Sequence, residues 1–191
     1  MTELPESRHA LPGKPVWAAM DQILYIGVAI GAGFISATQV GLIGVITRSR
    51  GPFEATWVSM LGSLSGMALL LGLLTFAGRR PDFASPFDGP WVYVGLATIM
   101  TTSLLVVGQG LPGYVLLTGL TSIPYLLVAS WVGPKIGIAV FFAAIVTGQL
   151  TGSVLLDHFG AFGTTPRPVD LARGAGVLAL LAGVVLIRGR S

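Results

Sequence analysis

The sequence predicts an all-α integral membrane protein, a bundle of six transmembrane helices with five as the alternative. Three observations predict it. Of the 191 residues, 53% are hydrophobic and only 10% charged, whereas a soluble domain carries roughly 25% charged residues to face water. Mean hydropathy is +0.82. The apolar residues also gather into blocks of the length a bilayer demands, roughly 20 residues at about 1.5 Å each.

Five blocks meet or approach that length: Ile23–Ile46, Ala55–Ala77, Trp91–Gly108, Gly113–Val132 and Ile136–Leu156. A sixth, Gly174–Ile187, is shorter and extends through Val169 if Arg173 snorkels to the interface. Asp170 and Arg173 are then three apart and placed to pair along the helix, with Pro168 suited to its first position. The weakest boundary is Gln109–Pro112. A single helix over Trp91–Val132 would reach roughly 60 Å, twice the hydrocarbon core, so two spans are expected there. Pro124, inside the fourth block, predicts a kink. Residues 1–22 read as a polar, flexible tail, 23–187 as the transmembrane domain and 188–191 as a C-terminal tail. The first 22 residues lack the apolar stretch and cleavage site of a secretory signal, so the first block is expected to act as an uncleaved signal.

Charge and composition narrow the function. The net charge of +3 is spread singly or in pairs between apolar blocks and forms no basic face, so no nucleic-acid partner is implied. The lipid bilayer is the expected environment. With no cysteine and only His9 and His158, no disulfide, thiol chemistry or histidine metal cluster is available, and no cofactor is implied. With six spans, Arg8, Lys14, Arg79, Arg80, Lys135, Arg188 and Arg190 share the side of the termini, against Arg48, Arg50, Arg167 and Arg173. The positive-inside rule then puts both termini in the cytoplasm.

No ionisable residue stands at a block centre, where burying charge is costly and marks function. Transport would have to rest on neutral polar groups, or on Asp157 reached through water. In the fifth block Gln149, Ser153 and Asp157 recur every four residues and drift by only about 80°, so they share a helix face. Beside them Gly148 and Gly152 allow another helix to come close. That stripe reads either as a hydrogen-bonding lane to the Asp157-His158 end or as inter-helix glue. Gln39, with Ser36 and the glycines 27, 31 and 33, marks a comparable face on the first block. Tyr125 follows Pro124 and is a further candidate. Trp17, Trp57, Trp91, Trp131 and Tyr93 are expected near the interfaces. The candidate path is therefore Gln39, Tyr125, Gln149 and Ser153, with Asp157 and His158 at one mouth. An enzyme would need a clustered acid, base or metal; Asp157-His158 is the sole pair, and neighbours on a helix do not face one another.

Residues 148–187 carry Gly148-Gln149, Ser153, Asp157-His158-Phe159-Gly160, Arg167-Pro168 and Arg173 before a glycine-rich span. This pattern resembles the C-terminal half of the YdcZ-type branch of the drug/metabolite transporter superfamily. Gly33, Gln39, Gly51-Pro52, Ala55, Ser59, Gly66 and Gly133-Pro134-Lys135-Ile136-Gly137 are similar to that family's earlier positions. Two departures stand out. Ile43 occupies a position where the family usually has Asn, and Trp91–Gly110 looks like a sixth span inserted into a five-span pattern. The resemblance implies a helical transporter of a small metabolite or drug-like compound, with a path between helices. A bundle this small is expected to pair with a second copy as a homodimer. The alternative is a non-transporting membrane subunit that packs with a partner protein.

Because the chain lacks cysteine, a Ser191→Cys thiol reports topology directly. It is expected to react from the cytoplasmic side only; reaction solely from the periplasm would overturn the orientation.

Overall fold

The computed structural model describes residues 16–79 and 81–189, with side chains from Met20 onward. Residues 1–15 of the expected tail and the Trp17 side chain lie outside the described residues. Six α-helices run through the rest: α1 Val16–Arg50, α2 Pro52–Phe76, α3 Pro90–Val107, α4 Ser122–Ile136, α5 Ile138–His158 and α6 Leu171–Arg188. A 3₁₀ segment, Gly113–Gly119, precedes α4, and together they form a fourth span of 24 residues. Each span is long and apolar enough to cross a membrane. The protein is a six-span, all-α membrane bundle.

The connections show how the spans alternate. Gly51 alone separates α1 from α2, and its φ of 95° suits glycine. Gly137 does the same between α4 and α5 at φ 85°. Contacts between ends confirm which termini share a face. At the first face, Arg188 Nε donates to Gln22 Oε1 at 3.0 Å, and Lys135 Nζ donates to the Tyr25 hydroxyl at 3.2 Å. That ammonium also lies 4.3 Å from the Trp131 ring centroid. At the second face, Arg50 donates to the carbonyls of Val107 and Gln109, which closes the end of α3 and separates it from the fourth span. The start of α1 and the end of α6 therefore lie on one side.

Several boundaries differ from the sequence reading. α1 begins at Val16, ahead of the apolar block, and α4 runs through Pro134 to Ile136 instead of stopping at Val132. α6 starts at Leu171 because the Asp170 carboxylate accepts the Arg173 N–H at 2.8 Å and caps the helix. Pro168 is thus left in the loop. Pro124 is the third residue of α4, where a helix needs no N–H; the chain breaks one turn earlier, at Leu120–Thr121. Tyr93, expected at the interface, is buried, with its hydroxyl donating to the Phe87 carbonyl. Trp57, Trp91 and Trp131 are exposed near helix ends.

Packing divides the bundle by depth. α1 is the central post, touching α2, α4, α5 and the 3₁₀ segment, while α3 packs on α2 and α6 on α5. Towards the first face, Ala29 and Ala32 of α1 meet Val132 and Ile136 of α4 and Val140, Phe141, Ala144 and Ile145 of α5. Towards the second face, Ile46 meets Ala55, Val58 and Leu61 of α2, Leu104 of α3 and Val115 of the 3₁₀ segment. Glycines let the backbones close up. A Cβ on Gly148 would collide with the Ile30 carbonyl, and one on Gly33 with the Ile145 carbonyl. Gly119 presses likewise on Gly62 and Ser63 of α2. Gly27 and Gly31, by contrast, face nothing within 4 Å.

Gly148→Ala should therefore overpack the α1–α5 contact and cost about 2 kcal/mol of stability. Gly31→Ala should be neutral or slightly stabilising, since alanine is the better helix former. Denaturant unfolding of the purified protein in detergent reads both, and equal losses would argue against the glycine contact.

Candidate functional site: a polar layer at mid-depth

Between the two apolar clusters lies a layer of hydroxyl and carboxamide groups. Gln39 and Ser63 each stand about 16 Å from the second-face ends of their helices at 1.5 Å per residue, half the thickness of a hydrocarbon core. Gln39 Nε2 donates to Ser59 Oγ at 3.3 Å, joining α1 to α2. One turn along α1, Ser36 Oγ accepts from Gln149 Nε2 at 3.0 Å, joining α1 to α5. Thr118, fully buried, lies with its hydroxyl 3.5 Å from the Gln39 carbonyl.

The break in the fourth span belongs to this layer. Irregular backbone at membrane depth survives only where protein or water satisfies it. Here hydroxyls do so. The Gly119 carbonyl accepts from Ser63 Oγ at 3.0 Å and Ser122 Oγ at 2.7 Å, and those two hydroxyls lie 2.8 Å apart. The Thr118 carbonyl accepts from Thr121 Oγ1 at 2.6 Å. Both halves pack on α1, but the 3₁₀ half packs mainly on α2, whereas α4 packs mainly on α1 and reaches α5, so the two halves differ in their principal neighbour.

The candidate residues divide accordingly. Gln39 and Gln149 both lie in the layer, in separate pairs bridged by α1. Ser153 is half-buried one turn further towards the second face. Tyr125 lies outside the layer, against the first-face cluster with its ring 6.4 Å from Phe141. Asp157 and His158 end α5, about 12 Å from Gln149 along the helix, and both engage the α5–α6 loop. The Asp157 carboxylate pairs with Arg173 Nη2 at 3.5 Å, and its backbone carbonyl accepts the Arg167 N–H at 2.8 Å. His158 Nδ1 accepts the Val169 N–H at 3.0 Å. Asp170 and Arg173 meet through the backbone cap, leaving the Arg173 guanidinium free to reach Asp157.

Ser63 and Thr118 were not among the candidates. The signal for Ser63 was its spacing of four from Ser59, which puts both on one face of α2 beside Gly62 and Gly66.

Midplane polar groups around a discontinuous helix are where transporters of this kind of architecture bind solute. The class is that of a polytopic membrane transporter. The chain matches the family model described as "Putative inner membrane exporter, YdcZ" over residues 24–186, most of its length, and belongs to that family. Neither a curated protein nor a solved structure matches it.

The Ser36–Gln149 bond is expected to couple by about 0.6 kcal/mol, as inter-helix hydrogen bonds in membranes typically do. A double-mutant cycle with Ser36→Ala and Gln149→Ala measures it. Strict additivity would show that the bond contributes nothing to holding α1 against α5.

Proposed function

We propose that the protein is a secondary transporter that carries a small metabolite or drug-like compound through the inner membrane by way of the mid-depth polar layer. The observation that carries this reading is the placement of the layer. It separates two apolar clusters and surrounds a broken span whose halves share α1 but differ in their principal neighbour, α2 for the 3₁₀ half and α1 for α4. Rocking of the α2–α3–3₁₀ unit against the α1–α4–α5–α6 unit would expose the layer to one face and then the other. Gln39, Gln149 and Ser153 would line the path, with Asp157 and His158 at its second-face mouth. Tyr125 would act from the apolar side, through its packing on Phe141.

The excess of basic residues on the first face supports a reading with both termini in the cytoplasm, and export is the direction favoured by the family's description. A homodimer belongs to the same reading, the second copy completing the enclosure of a bundle whose α3 and α6 pack mainly on one neighbour each. One observation favours a non-transporting subunit instead: Gln39 and Gln149 already spend their amides on Ser59 and Ser36.

Uptake or solute-evoked current in proteoliposomes, over a panel of metabolites and cationic drugs, separates the two. Transport should appear for at least one solute and be lost in Gln149→Ala, with the variant still folded. Silence over the whole panel with well-folded protein would favour the subunit reading.

A further inference from the structure

Among the described residues, Phe162 is the one non-glycine residue in the left-handed region, at φ 58° and ψ 27°. A bulky side chain rarely adopts these angles unless the surroundings hold it there. Two contacts from α1 do so. The Phe162 carbonyl accepts from Nη2 of Arg48. The ring rests on Gly41, where a Cβ would run into its Cδ2 and Cε2 atoms. Gly160 and Gly163, at φ 60° and 72°, flank it in the same region, so the chain hooks back onto α1 instead of continuing as helix.

The seat lies at the end of a row. Gly33, Ala37 and Gly41 follow at four-residue spacing on one face of α1. Gly33 lies against the backbone of Ile145 and Gln149, Ala37 against Gly152, and Gly41 against Phe162. α5 stops at His158, so Phe162 makes the last contact of a seam that α5 itself no longer reaches. The other end of that row runs beside the Gln149–Ser36 bond.

We propose that Phe162 is a latch. Seated on Gly41 and held by Arg48, it closes the second-face end of the α1–α5 seam; lifted, it admits water towards Ser36 and Gln149. The left-handed backbone gives the latch a strained closed state, and the exposed Arg48 gives it a hold that solvent can compete for. This inference rests on the polar layer being the transport path, but its test needs no solute, so failure of the latch and failure of the transport reading are distinguishable.

The absence of cysteine makes the test clean. An Ala37→Cys thiol lies next to the Gly41 seat at a position 4% exposed, and an Ala29→Cys thiol in the first-face cluster at a position 0% exposed serves as control. Maleimides react with the thiolate, which requires water. A membrane-impermeant maleimide is applied to right-side-out and to inverted vesicles. Phe162→Ala, and separately Gly41→Val to displace the ring, should each raise labelling at position 37 by roughly tenfold, as expected when a local closed state is lost. Position 29 should remain unchanged. No rise at position 37 in either variant would overturn the latch. So would an equal rise at both positions, which would mean that the bundle had only loosened.

Discussion

Inside a bilayer, two apolar helices gain little by leaving lipid for one another. What holds α1 against α5 is therefore how closely their backbones approach. Gly33 receives the Ile145 carbonyl and Gly148 receives the Ile30 carbonyl, a reciprocal contact that brings many atoms of each helix into van der Waals range. The rest of the bundle is arranged around this post. With α5 fixed on α1, the one-residue turn at Gly137 fixes the end of α4. The turn at Gly51 fixes α2 in the same way. α3 and α6 then pack on the outside, exposing most of their apolar surface to lipid.

The second close approach has a different consequence. Gly119 presses on the backbone of α2 at Gly62 and Ser63, and the segment leading to it winds as a 3₁₀ helix, whose narrower turn brings the chain axis nearer its neighbour. The fourth span cannot keep one continuous ladder of hydrogen bonds through such a contact, so it breaks at Leu120–Thr121. In hydrocarbon the freed carbonyls must be answered, and Ser63, Thr121 and Ser122 answer them. Part of the polar layer thus follows from packing: hydroxyls gather where the span breaks. Gln39 and Gln149 do not follow from it, since neither donates to a broken backbone carbonyl. They are the polar groups whose placement packing alone leaves unexplained.

This difference also decides what was legible in the sequence. The spans could be read because apolar length is a property of one segment, and the tight turn at Gln109–Pro112 because a helix twice the bilayer thickness is impossible. Gln39 and Gln149 stood out because they are the only carboxamides inside apolar blocks. Serines and threonines gave a weaker signal. A hydroxyl in a membrane helix bonds its own preceding turn by default, as Thr47, Thr75 and Thr147 do here. Nothing local tells Ser63 from these. Its role depends on Gly119, far away in sequence. Pro124 pointed to the break within one turn, because its ring and missing N–H disfavour a helical bond to the Leu120 carbonyl four residues earlier; the contact of Gly119 with α2, which acts at the same place, had no local signal. The start of α6 turned on a choice between two partners for Asp170, side chain or backbone, which spacing alone leaves open.

The charged residues at the second face show how chemistry and architecture are divided between depths. Asp157, His158, Asp170 and Arg173 carry the most reactive-looking chemistry in the chain, and their contacts tie the end of α5, the loop after it and the start of α6 to one another. The six apolar blocks hold no Asp, Glu, Lys, Arg or His. The layer at mid-depth consequently works with neutral groups alone, which has an energetic consequence. A buried ion pair is costly to separate, because each charge left alone in a low-dielectric interior loses its compensation. Neutral inter-helix bonds are worth only about 0.6 kcal/mol on average. On the proposed transport reading, Gln39 would leave Ser59, and Gln149 would leave Ser36, at a cost that a solute offering equivalent donors and acceptors would offset. On that reading the two apolar clusters would keep the bundle intact while the layer between them exchanges partners, and that combination would let a membrane-spanning core open at its middle without coming apart.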